Sequence, residues 1–285
     1  MLKSICIKTN NLKILNYLSN ELSNVNLEDF SVSRNSFKIY NNIILHYTGS
    51  DFSKFNTLIS EVLTNSIMLF YENLLIKRFL NLNYFYFNNS ETTQIFNIVK
   101  ETLNEPEYKN KFNAIYDNVY EFNKNNKSMI LDGFVNFRIK SFCSLLDSAV
   151  EFSVNKFLID QEYNEFIKLL QSYIESKKHI ADVIHLIYNN QNCILLDNNK
   201  NILSLDTSFV NAKYLSDISF SSNDYALNTL LNLLPKQLNI HLIDIEDDFI
   251  KTLKLIFGKR IFLCRDCNLC KTYKLTSNLL HAEKE

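Results

Sequence analysis

The stretch "DYALNTLLNLLPKQLNIHLIDIEDDFIKTLKLIFGKRIFLC", Asp224 to Cys264, decides the fold. It reads as helix, turn at Pro235 and strand, then helix, turn at Gly258 and strand. Two successive helix-strand units with short links predict parallel pairing of their strands, because each crossover helix can cover one sheet face. Just upstream, "ADVIHLIYNNQNCILLDNN" has strand character over Val183–Tyr188 and Cys193–Leu196, with "NNQN" between them as a hairpin turn.

Three cysteines follow the last strand. In "IFLCRDCNLCKTY", Cys264, Cys267 and Cys270 are each separated by two residues. That loop falls at the carboxyl end of a strand, where open α/β sheets often place functional groups. Thiolates select zinc, cuprous copper or iron-sulfur clusters, and two intervening residues let a turn direct both sulfurs toward one ion. Three readings stay open: a metal centre, with zinc ahead of an iron-sulfur cluster; a redox-sensitive dithiol; or unliganded structural thiols. For a Cys-Cys-Cys-His zinc site the nearest nitrogen donor in the chain is His281, eleven residues beyond Cys270. Cys6 and Cys193 sit in apolar strand-like runs and Cys143 in a helical one, places typical of structural thiols. His179, His185 and His241 read as structural or surface histidines.

The chain of 285 residues is 46% hydrophobic, enough to bury a core without a disulfide framework or a metal. Thirty basic against 31 acidic residues leave a charge of −1, which disfavours nucleic acid as the partner because phosphate neutralisation supplies much of that affinity. The most apolar windows are interrupted well before the roughly 20 apolar residues of a membrane span. Lys and Asn interrupt what would have to be a signal core in "MLKSICIKTNNLKILNYLSNELS", so a reducing cytoplasm is the expected environment. Gly49, Gly133 and Gly258 stand alone, so no glycine-rich phosphate loop can form. Neither a Ser nucleophile elbow nor a His-Glu-x-x-His signature occurs.

Toward the N-terminus, "SICIK" predicts a strand and Leu12, Leu15, Leu18 and Leu22 a helix. "FSVSRNSFKIY" and "NNIILHYTG" predict two more strands around Asn41-Asn42. A long amphipathic helix follows from Asp51, with "ENLLIKRFLNLNYFYF" extending it or adding a terminal strand, then a helix capped by Ser90 and another over about 108–123. Phe134, Phe137, Leu145, Ala149 and Phe152 wind onto one face, and Tyr163, Phe166, Ile167, Leu170, Tyr173 and Ile174 repeat the pattern after a break near Ile159-Asp160. These aromatic stripes read as core. The expectation is an α+β fold: an N-terminal mixed α/β region over 1–125, then long central helices and a C-terminal α/β region with hairpin and helix-strand units over 126–285. Glu162 and Glu165 lack the Glu-x-x-His partner of a two-metal site and, with Lys168, read as a surface ion-pair ladder.

"DGFVNFRIK", Asp132 to Lys140, and "LLDSAVEFSVNKFLIDQEYNEFIKLLQSYIESKK", Leu145 to Lys178, resemble the YtxC-like sporulation protein family. The likeness is strong over Ser128 to Cys270 and extends weakly toward Met1. It implies a cytoplasmic, sporulation-associated protein of an endospore-forming bacterium, without an assigned molecular activity and with no catalytic residues to carry over. Gly133, Phe134, Phe137 and Arg138 match one motif, and Glu162, Tyr163, Glu165 and Phe166 the other. Asn155 stands where that pattern leads one to expect an acid, which weakens a carboxylate pair there. A non-enzymatic interaction or regulatory protein with a protein partner is the leading expectation; a metal-binding redox protein or enzyme built on the cysteine cluster is the alternative.

Overall fold

The computed structural model describes residues 3–189, 192–203 and 221–274. The chain forms two compact units, Met1–Asp160 and Gln161–Glu285, each with its own core, and has the expected α+β class.

The first unit carries a sheet of order β2-β3-β1-β4, with β1 Lys3–Thr9, β2 Phe30–Ser36, β3 Asn41–Tyr47 and β4 Ser128–Ile130. Strands β1, β2 and β3 pair antiparallel, and β4 joins β1 in parallel. Ile5 and Ile7 alternate with half-buried residues in β1, as Ile43, Leu45 and Tyr47 do in β3, so one face of the sheet is the core face. Helix α1 (Leu12–Ser23) buries Ile14, Leu15, Leu18 and Leu22, and starts where the Asn11 side chain accepts from the Lys13 and Ile14 N–H groups.

Helix α2 (Phe52–Asn83) takes in Glu72–Asn83 of the segment expected to extend it or add a strand and ends before Tyr84–Phe87, which form a turn; it buries Phe55, Ile59, Leu63 and Ile67 at a four-residue spacing. Its Glu72 is buried and paired with Lys100 of α3 (Asn89–Thr102) and, at 3.3 Å, with Lys111 of α4 (Lys111–Asn125). A carboxylate in that position is tolerable because two ammonium groups offset its loss of water. Helix α3 begins one turn-edge earlier than expected. Asn88, not Ser90, is its cap, and Glu91 reaches back to the Asn88 N–H to complete a capping box.

The central helices correct a second expectation. Helix α5 (Leu131–Arg138) ends at Ile139, and α6 (Lys140–Ser176) then continues without a break at Ile159-Asp160. The interruption at Ile139 resets the helical phase. Phe142, Leu146, Ala149, Val150, Val154 and Phe157 become the buried stripe, whereas Phe137 is 74% exposed and Phe152 and Phe166 are each 50% exposed. The Glu165–Lys168 ladder is likewise absent from the ion pairs among the described residues.

In the second unit, β5 (Val183–Asn189) and β6 (Asn192–Leu196) form the expected hairpin. Helix α7 (Ser222–Leu233) and β7 (Gln237–Leu242), then α8 (Asp248–Phe257) and β8 (Ile261–Cys264), supply the two helix-strand units. Sheet order is β6-β5-β7-β8, with β5, β7 and β8 parallel. Leu234, just before Pro235, takes a left-handed backbone (φ 44°) and ends α7; Gly258 (φ 51°) ends α8. Ile184, Leu186, Leu238, Ile240 and Leu242 pack with Leu230, Ile250 and Leu253 into one core.

The reset phase makes a direct test available. Phe142→Ala should destabilise the full chain by about 3–5 kcal/mol, and Phe137→Ala by about 0.5 kcal/mol or less, in urea unfolding followed by circular dichroism. Equal losses would contradict the assignment of the two faces.

Candidate metal centre

The alternation of β7 determines what His241 can do. Leu238, Ile240 and Leu242 face the helix-covered core, so His241 between them projects from the opposite face of the sheet. It is only 5% exposed. In the parallel ladder its register partner is Cys264, the last residue of β8. The chain then turns through 265–267 and enters a helical segment at 268–274. The Cys267 carbonyl accepts from the Lys271 N–H, which places Cys267 at the start of that segment and Cys270 within its first turn.

Four donors therefore converge. His241 Nδ1 lies 3.3 Å from Cys267 Sγ and 3.5 Å from Cys270 Sγ; Cys270 Sγ is 3.6 Å from Cys267 Sγ and 3.8 Å from Cys264 Sγ. All four ligand atoms fall within 4.8 Å of one another. A regular tetrahedron around zinc, with Zn–S of about 2.3 Å and Zn–N of about 2.0–2.1 Å, has S···S edges of about 3.8 Å and S···N edges of about 3.5–3.6 Å. These four separations lie close to those edges, and the remaining two, both from Cys264, fall within 4.8 Å. They suit one ion shared by all four donors better than a cluster, which distributes its cysteines over separate irons.

The electrostatics fit the same geometry. Burial pushes the Cys270 thiol up to about 12, reinforced by the neighbouring Cys267 and Cys264 sulfurs. Burial also opposes ionisation of Cys267, yet hydrogen bonds from the Cys270 N–H, the Cys264 and Cys270 thiols and the Leu269 N–H hold it below the ordinary thiol value. One thiolate forms readily and the next is resisted. A divalent cation held by these groups would remove that resistance, since coordination deprotonates thiols outright.

On its other side, His241 Nε2 lies 2.9 Å from Nδ1 of His185, which β5 presents on the same sheet face. Burial lowers the pKa of both rings, with Lys200 and, for His241, the neighbouring His185 adding to the effect. With Nδ1 of His241 aimed at the sulfurs, its proton belongs on Nε2, donated to Nδ1 of a neutral His185. Such a partner fixes the tautomer and orientation of a metal-ligating imidazole.

The structure thus brings together Cys264, Cys267 and Cys270, as their spacing suggested, and places His241 beside them as a candidate fourth donor. His281, the donor expected from proximity in sequence, lies outside the described residues. His179 is engaged elsewhere, 3.3 Å from the Leu234 carbonyl and 3.2 Å from Arg260. Glu162 and Glu165 are exposed on α6. Of the other cysteines, Cys193 is buried, with burial pushing its thiol up to about 12, and Cys6 and Cys143 are half-buried.

Comparison with known proteins gives one result. The YtxC-like family matches residues 57–262. The chain belongs to the YtxC-like family. No curated protein and no solved structure matches it. The family match includes His185 and His241 and stops two residues before Cys264, so in this YtxC-like chain membership itself does not account for the three cysteines. Of its motif residues, Phe134 is buried in the first core, while Phe137 and Phe166 face solvent. Among the described residues no helix is long and apolar enough to cross a membrane.

The His185 contact predicts that the His241 ring proton resides on Nε2, as read by NMR of the histidine ring nitrogens at neutral pH. His185→Ala should erode that preference. A proton on Nδ1 of His241 in the wild type would contradict the arrangement.

Proposed function

We propose that this protein is a sporulation-associated, non-enzymatic interaction or regulatory protein whose second unit is held by a structural zinc ion. Cys264, Cys267, Cys270 and His241 are its ligands. The observation that carries this reading is the convergence of four donors within 4.8 Å, four of whose six separations lie close to the edges of one tetrahedron. Four protein ligands complete the coordination of zinc. Catalytic zinc sites instead keep a position for water or substrate, so the geometry favours a structural ion over an enzyme centre. The ligands come from β7, the end of β8 and the following segment, so the ion would tie the chain beyond the last strand to the sheet. Because ligands are not preassembled in an unfolded chain, binding free energy of this kind adds directly to folding stability.

The sporulation context rests on the family resemblance, and a reducing cytoplasm suits a centre of three unoxidised thiolates. A protein partner is the corresponding expectation for a chain of nearly balanced charge without an evident nucleotide loop.

Full-length protein purified without oxygen or added chelator should hold about one zinc per chain. Cys270→Ser and His241→Ala should each lose most of it and melt at lower temperature. Wild type that is folded and free of metal would overturn the zinc reading. In the native bacterium, abundance should rise with endospore formation and deletion should lower spore yield; constant abundance with unaltered yield would contradict the sporulation role.

A further inference from the structure

In the first unit, a cavity of about 500 Å³ opens where the start of β1, the start of α2 and the link between α4 and β4 meet. Its lining includes Lys3, Lys124 and Lys127, with Phe52 and Ser4, and no acidic residue. That is a local concentration of positive charge in a chain whose net charge is −1. Lys124 has a structural account: it lies in the last turn of α4, where a cation complements the helix dipole, and it reaches Glu121 at 3.9 Å. Lys3 and Lys127 have no such account, since no carboxylate pairs with either side chain among the described residues.

Lys3 is the more telling of the two. It is half-buried at the rim of the core face, its ammonium 5.8 Å from the centroid of the Phe55 ring, and burial lowers its pKa. Elsewhere in the same unit, the buried charge of Glu72 is matched by two lysines. At this cavity Lys3 and Lys127 stand without a carboxylate partner among the described residues.

We propose that the cavity binds a small phosphate monoester. Two negative charges on one group match several ammonium groups better than a single carboxylate does. Phe52 offers an aromatic wall for the organic part, and the volume falls in the range of small-molecule sites.

Isothermal titration of the full chain with phenyl phosphate tests this, with benzoate as the singly charged comparison. Saturable one-site binding is expected, tighter than for benzoate, and weakened about tenfold or more by Lys3→Gln and by Lys127→Gln. Lys168→Gln, an exposed lysine of α6, should leave it unchanged. Should Lys3→Gln fail to fold, Lys127→Gln on the exposed link decides. Absence of saturable binding, equal affinity in Lys127→Gln, or equal loss in Lys168→Gln would overturn the site. Tighter binding of a phosphoserine peptide than of phenyl phosphate would overturn its assignment to a small molecule.

Discussion

The hydrogen-bonded register between β7 and β8 sets His241 level with Cys264, and the C-terminal centre depends on that pairing. The register is held from the other face of the sheet. Leu238, Ile240 and Leu242 are buried against the second core, so a slip of β7 by one residue would expose all three and turn His241 into apolar surroundings. The same slip would separate the imidazole from the sulfurs. Apolar packing on one face therefore fixes polar chemistry on the other. His185, contributed by the next strand of the parallel ladder, extends this logic by one residue and orients the ring.

What could be read from the chain followed the distance over which each feature is determined. The two helix-strand units, the β5–β6 hairpin and the spacing of the three cysteines are local, and punctuation at Pro235 and Gly258 marked them. His241 as the fourth donor is not local: it lies 23 residues before Cys264, and only strand register makes the two neighbours. The signal was present in two facts read separately. Alternation in "LNIHL" places the histidine opposite the core leucines, and parallel pairing aligns the ends of β7 and β8. Proximity in sequence points to His281, which lies outside the described residues.

The aromatic stripe was misread for a related reason. A periodic pattern carried across Ile139 assumes one continuous helix, but the chain is interrupted there, and within α6 Phe142 and Phe157 are buried while Phe152 is not; Phe137, at the end of α5, is exposed. At Asn88 the competition was between two capping residues two positions apart, and the one with Glu three positions later prevailed because the capping box satisfies amide donors from both sides. The short β4, only three residues long, gave no periodic signal and exists through its pairing with β1.

The central claim is that one tetrahedral ion is shared by three sulfurs and one imidazole nitrogen. X-ray absorption at the zinc edge of the full chain measures that coordination directly. The account predicts three sulfurs at about 2.3 Å and one nitrogen at about 2.0–2.1 Å. A shell of oxygen or nitrogen donors without sulfur, or fewer than three sulfurs with a bound water in the fourth position, would contradict it.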